Sequence, residues 1–261
     1  MKKVLLFILV PCSYAFAQPA VYTTANAHSH NDYQQAVPFI AAYDLKYGSI
    51  EVDVYLNISD NELLVARNAN DAAQHRTLED LYLKPLAENI QSNNGSAYAD
   101  TSRKLILMLD VKTEAVPAIN KLIDILIKYP SLTRCTSLTI MVTGSKPNPS
   151  TYNVYPSYLW FDGYLSEHYS KEVLARIAVL GDNMINYTKW KGPGEPPASE
   201  WELLKKKIAK GHSLGKKVRL WNAPDNLEGW ARLIELGVDY LNTDSIKALA
   251  EFLKTNGVRQ E

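Results

Sequence analysis

The sequence predicts a single (β/α)8 TIM barrel, irregular in places. Short β-type apolar runs alternate with amphipathic helical runs along the chain, the order that builds a parallel sheet. About eight such strands fall within about 240 residues, the size of a closed (β/α)8 barrel. No linker divides the 261 residues into two domains. A doubly wound open sheet is the alternative, but no glycine-rich turn after the first strand supports nucleotide binding.

The elements follow in order. Residues 21–27 read as the first strand and 37–47 as a helix ended by Gly48. In 49–56, Ile50, Val52, Val54 and Leu56 alternate with Glu51, Asp53 and Tyr55, a strand with two different faces. Residues 63–66 return after the turn signal Ser59-Asp60-Asn61. A helix over 78–94, N-capped by Thr77, should kink at Pro85. Residues 105–111 are almost continuously apolar, as expected of a strand buried on both faces. A helix over 116–129 follows. The later strands are expected at 138–142, 158–161, 184–187, 217–221 and 238–241, with helices at 171–180, 200–214, 227–236 and 246–254.

The first seventeen residues are set apart from the fold. Lys2-Lys3, the apolar run 4–10 and Ala15-Phe16-Ala17 have the layout of a secretory signal peptide, with Gln18 as the new N-terminus. The apolar run is too short to span a bilayer. Export to the periplasm or the medium is therefore expected. Cleavage removes Cys12 and leaves Cys135 alone, so no internal disulfide forms; Cys135 reads as a small buried hydrophobe.

Composition excludes several classes. Hydrophobic residues are 46% and charged residues 21%, too balanced for a disordered chain. The 28 basic and 28 acidic side chains cancel, which argues against a nucleic-acid partner.

In a barrel, strand C-termini converge on one face, and the chemistry-bearing residues of this sequence lie there. They are the segment 28–32 with His28, His30 and Asn31, the pair Glu51 and Asp53, then Asp110 with Lys112, Trp221 with Asn222, and Asn242 to Asp244. Glu51 and Asp53 are two apart and share one side of their strand. Inside a barrel they would repel and be desolvated unless a divalent cation joined them, with Asp110 as a third oxygen ligand. If they face outward instead, Val52 and Val54 fill the interior and no ion is needed. His28 and His30 also match a metal-ligand spacing, although a lone histidine is more often a hydrogen-bonded structural group. Lys112 suits an anionic substrate or a solvated helix start equally. His75 precedes the helix capped by Thr77; His168 and His212 read as surface residues. Tyr152, Tyr155, Tyr158 and Trp160 are candidates for an aromatic rim in peripheral contact with a membrane.

Ala27-His28-x-x-Asn31-Asp32, Ile50 to Val54 and Met108 to Lys112 together resemble the glycerophosphodiester phosphodiesterase superfamily. His28 to Tyr33, His-Ser-His-Asn-Asp-Tyr, resembles its branch typified by altered inheritance of mitochondria protein 6. Residues 218–222 and 237–244 are similar to the superfamily's last two strands. The resemblance implies that residues 18–261 form an irregular barrel hydrolysing phosphodiesters, with glycerophosphodiesters or phospholipid headgroups as small-molecule or lipid substrates. It implies one Mg²⁺ or Ca²⁺ on Glu51, Asp53 and Asp110, and His28 as catalytic base or nucleophile. Lys112 and Trp221 would meet the phosphate and its organic group, with His30 and Asn31 beside them.

One departure matters. Where the superfamily places a second histidine, this sequence has Arg67 in Leu64-Val65-Ala66-Arg67-Asn68. Arginine stays protonated and cannot shuttle a proton, though it can bind phosphate bidentately. Three readings stay open: His75 or His30 supplies the acid; the substrates carry good leaving groups; or the barrel only binds a phosphorylated ligand. A two-carboxylate glycosidase is a further class, disfavoured by the histidines and Lys112.

Overall fold

The computed structural model describes residues 21–256; the predicted signal peptide lies outside the described residues. Nine strands are present: β1 (Ala27–Ser29), β2 (Ser49–Asn57), β3 (Glu62–Val65), β4 (Leu105–Val111), β5 (Leu138–Gly144), β6 (Leu159–Tyr164), β7 (Ile177–Asn183), β8 (Lys217–Trp221) and β9 (Leu241–Thr243). The helices are α1 (Ile40–Asp44), α2 (Ala69–Ala72), α3 (Lys84–Ser92), α4 (Ala115–Leu126), α5 (Pro130–Arg134), α6 (Lys171–Leu174), α7 (Ala198–Ser213), α8 (Leu227–Leu236) and α9 (Ile246–Asn256).

Eight strands are parallel, in the order β8-β7-β6-β5-β4-β2-β1-β9. A parallel bridge between Arg219 and Tyr240 joins β8 to the residue before β9, so the sheet curls into a nearly closed barrel. The ninth strand, β3, pairs antiparallel with the overhanging end of β2. The (β/α)8 expectation holds and the open sheet does not.

Helix faces explain the outer layer. In α4 the buried residues Ala118, Ile119, Leu122, Ile125 and Leu126 recur at helical spacing and face the sheet. In α8, Asn226 caps the first turn by accepting from Gly229 N, and Gly237 ends the helix in the left-handed region. The large core lies between this layer and the sheet, with Ile50, Val52, Leu107 and Leu109 on its strand side. A smaller apolar cluster of Ile106, Met108, Met141, Val179 and Tyr240 fills the middle and one end of the barrel.

Several boundaries differ from the sequence expectation. The first strand is Ala27–Ser29, preceded by a 3-10 turn over Thr24–Asn26. The long helix predicted over 78–94 opens as a wide π-type turn, Glu79–Leu83, so Pro85 falls in the first turn of α3, where a missing N–H costs little. Thr77 Oγ1 still accepts from Asp80 N. The sixth barrel strand, β7, is Ile177–Asn183, not 184–187, where Met184–Asn186 form a 3-10 turn. Cys135 is buried, as expected. His212 is half-buried rather than on the surface, and its Nε2 lies 2.7 Å from Asp239 Oδ2. The aromatic rim does not form: Tyr152 is buried and stacked on Phe161 at 3.8 Å, and Trp160 lines a cavity at the opposite end of the barrel from the carboxylates.

Candidate active site

Strand alternation sets the site. On β2, Ser49, Glu51 and Asp53 face the barrel interior, while Val52 and Val54 pack beneath the outer helices. Parallel register places Asp110 of β4 directly across from Asp53. One carboxylate oxygen from each of Glu51, Asp53 and Asp110 lies within 4.8 Å of the others. The outward-facing alternative for Glu51 and Asp53 is therefore excluded.

These carboxylates are ringed by cations. Lys112 Nζ sits 2.6 Å from Asp110 Oδ2 and 3.1 Å from Asp53 Oδ1. Arg219 Nη1 donates to Glu51 Oε2 at 2.6 Å. Burial alone would raise Glu51, but the Arg219 guanidinium and the hydrogen bond to His28 outweigh it and hold the carboxyl well below its usual range. Burial wins at the other two: Asp53 and Asp110 are both raised despite Lys112. Tyr33 donates to Asp53 Oδ2 at 2.9 Å. Asp53 Oδ1 is buried, with the Lys112 ammonium at 3.1 Å as its charge partner. Backbone space is also reserved. Gly144 has φ +72°, and a Cβ there would stand 2.0 Å from Asp110 Oδ1. Three carboxylates converging on one point form an all-oxygen donor set that fits a hard divalent cation, so this is a candidate metal centre.

The two histidines have different surroundings. His28 is fully buried, with Nδ1 2.8 Å from Ser49 Oγ and Nε2 2.8 Å from Glu51 Oε2. Burial, reinforced by Arg219, lowers it to about 3, so the ring is neutral at physiological pH. His30 borders the open cavity. Its Nδ1 lies 2.7 Å from Asp244 Oδ1, and the Asn31 amide nitrogen is 3.0 Å from the same atom. Burial pulls His30 down, but Asp244 and Glu51 outweigh it and the ring is raised. Asn31 reaches this position with a left-handed φ of 46°.

The cavity has a volume of about 310 Å³. It is bordered by His30, Glu51, Arg67, Asp110, Arg219 and Trp221, at the barrel end toward which the parallel strands run. The Arg67 side chain is half-exposed, with Nε 4.0 Å from Asp53 Oδ2. Trp221 packs edge-on to Tyr164 across the opening. His75 is not brought in. It takes φ +49° after α2 and borders a separate surface hollow with Tyr55 and Asn57.

Sequence reasoning gave no role to Arg219, Asp162 or Lys146, and placed Asp244 at the strand ends without assigning it one. Lys146 pairs with Asp162, Thr143 donates to Asp162 Oδ2 at 3.0 Å, and Lys146 Nζ sits 4.5 Å from the Tyr164 ring centre. Arg219 was findable: Lys217, Arg219 and Trp221 are two apart, so whichever face holds Trp221 also holds the arginine.

Residues 20–130 match the AIM6-like phosphodiesterase domain, and residues 217–245 match the glycerophosphoryl diester phosphodiesterase family. The two segments carry the acidic trio and Arg219 respectively. The chain is thus similar to the AIM6-like phosphodiesterase domain over its first half and to the glycerophosphoryl diester phosphodiesterase family over its last strands. Altered inheritance of mitochondria protein 6 from Eremothecium gossypii is 28% identical over 269 residues, covering 86% of this chain and 68% of that protein. Its Lachancea thermotolerans counterpart is 27% identical over 280 residues, covering 87% and 65%. The chain thus spans about two thirds of the length of these curated relatives. A glycerophosphodiester phosphodiesterase from Parabacteroides distasonis superposes with a TM-score of 0.56 at 13% identity, over 88% of this chain and 97% of that one, a likeness of fold. Within the superfamily-like barrel, the residues that carried the resemblance from sequence lie at one end.

Proposed function

We propose that this AIM6-like chain is an exported, divalent-metal-dependent phosphoric diester hydrolase acting on glycerophosphodiesters or phospholipid headgroups. The observation that carries the proposal is one cavity lined by Glu51, Asp110, the cations Arg67 and Arg219, and the carboxylate-held imidazole of His30, with Asp53 and Lys112 directly beside Asp110. Glu51, Asp53 and Asp110 would hold one Mg²⁺ or Ca²⁺. When bound, that ion would neutralise charge developing on the phosphoryl oxygens. Lys112 and Arg67 would draw the diester's anionic oxygens to the same place. Trp221 would cover the organic group.

The proton falls to His30. It faces the cavity, and Asp244 at 2.7 Å orients its ring, the arrangement a general acid or base requires. His28 lies behind Glu51, neutral and buried, and fixes that carboxylate rather than meeting substrate. A second reading follows from Arg67: with an arginine where the superfamily carries its other histidine, the barrel binds a phosphorylated ligand without turnover.

The test is hydrolysis by the purified protein of an activated aryl diester and of natural glycerophosphodiesters, with Mg²⁺, Ca²⁺ or chelator. Chelator-sensitive turnover of natural diesters, cut about 10²–10⁴-fold in His30→Ala, is expected. Turnover of the aryl diester alone would mean that no residue protonates the leaving group. Absence of turnover, with saturable glycerophosphodiester binding lost in Arg67→Ala, would replace the hydrolase by the binding protein.

A further inference from the structure

The other end of the barrel holds a second, larger cavity of about 700 Å³. It is bordered by residues at strand N-termini, among them Lys104 before β4, Thr139 on β5, Trp160 on β6, Ala178 on β7 and Lys217 on β8. A barrel interior is normally filled by layers of branched side chains. Here Thr139 and Ala178 stand at inner positions of the lowest layer, and their small volume leaves it open. The floor is apolar: Ile106, Trp160 and Tyr240 cover the buried Met108 and Met141, which separate this space from the acidic trio.

The mouth is cationic. Lys217 Nζ lies 5.1 Å from the centre of the Tyr240 ring. Among the described residues neither Lys217 nor Lys104 has a carboxylate within ion-pair distance. Arg103, also at the mouth, donates to Lys46 O and Thr24 Oγ1. Asp100 there accepts from Ser102 and lies 3.8 Å from Arg103 Nε. Two lysines over an apolar, aromatic floor match a ligand with an anionic head and an apolar tail.

We propose that this N-terminal cavity is a binding site for a single-chain amphiphilic anion, a medium- or long-chain carboxylate. The tail lies on Ile106, Trp160 and Tyr240, and the carboxylate meets Lys217 and Lys104. The site is separate from the phosphodiesterase cavity and does not depend on the activity proposed there.

The probe is sodium decanoate, titrated into the full chain below its micelle concentration and followed by calorimetry and tryptophan fluorescence, with 1-decanol as the uncharged counterpart. One saturable site per chain is expected. Lys217→Met weakens decanoate about tenfold and leaves 1-decanol unchanged, since one charge-assisted contact is lost. Ala178→Leu fills the cavity and abolishes both; Thr139→Leu serves the same purpose should the first variant fail to fold. Absence of saturable decanoate binding, or binding undiminished in a folded cavity-filling variant, overturns the site. Equal affinity for decanoate and 1-decanol overturns the anionic head.

Discussion

The two ends of this barrel are built from the same strands and solve opposite problems. On β8 the inward residues run Lys217, Arg219, Trp221 from one mouth to the other. Lys217 reaches an open mouth, with the Tyr240 ring 5.1 Å from its Nζ. Arg219, one layer up, is buried and bonded to Glu51 and Asn242. At the C-terminal end the interior is crowded with charges that need each other; at the N-terminal end it is under-filled, its floor apolar and its cations confined to the mouth. The difference teaches that a barrel layer is set by what its inward residues must satisfy. Opposed charges draw the upper layer tight, and small side chains leave the lower one open.

The largest effect should separate the two ends at once. Glu51→Gln strips Arg219 of its buried counter-charge, and breaking a buried pair from one side costs about 3 kcal/mol. Lys217→Met removes an exposed cation and should cost under about 0.5 kcal/mol. Denaturant unfolding of the two variants measures both. Equal losses would show that Arg219 is not held by Glu51 in solution.

Metal should act on one end alone. If Glu51, Asp53 and Asp110 hold a divalent cation, an ion at a hundred times its Kd stabilises the fold by about 2.7 kcal/mol. Asp53→Asn should remove that increment. The same substitution relieves a buried carboxylate that burial already raises, so the ion-free variant should melt at or above the wild type. A thermal shift with Mg²⁺ or Ca²⁺ that survives in Asp53→Asn would move the ion elsewhere.

The contrast also explains which parts could be read from sequence. Glu51, Asp53 and Asp110 were legible because period-two alternation and the continuous apolar run of β4 leave few registers, and the parallel register then pairs Asp53 with Asp110. Strand β7 was not legible. Val173, Leu174, Ile177 and Leu180 fit a helical period as well as a strand, and a short apolar run cannot be settled by period alone. Nor was the choice between His28 and His30. Both lie near β1, and only the pairing of His28 with Ser49 and of His30 with Asp244 tells the buried ring from the open one. The distance of His75 from the site is a product of the β3 hairpin and the α2 turn, a tertiary fact with no local signal. The empty lower layer was hidden because Thr139 and Ala178 look ordinary until their neighbours on β6 and β8 are known.

Gly144 gives a finer test. Alanine there must take φ +72° and place its Cβ against Asp110 Oδ1 and 2.7 Å from Val111 O. Gly95 also has positive φ, at +91°, but nothing lies within 4 Å of its added Cβ. Gly95→Ala should therefore cost only the backbone penalty, about 1 kcal/mol, while Gly144→Ala should cost about 2 kcal/mol and displace Asp110. Loss of the divalent-cation shift in Gly144→Ala, with Gly95→Ala keeping it, would confirm that the glycine serves the carboxylate.

The smallest effect belongs to the open end. Thr139→Val replaces a hydroxyl by a methyl of nearly equal size beside the apolar floor, and removing that polar group should gain about 0.5 kcal/mol. Thr143→Val, the same change four residues along the same face, removes the hydrogen bond to Asp162 Oδ2 and should lose about 1 kcal/mol. One chemical substitution thus changes sign within a single strand, because one threonine borders unfilled space and the other holds a carboxylate. Equal signs in the two melting curves would mean that the layers do not differ as their lining implies.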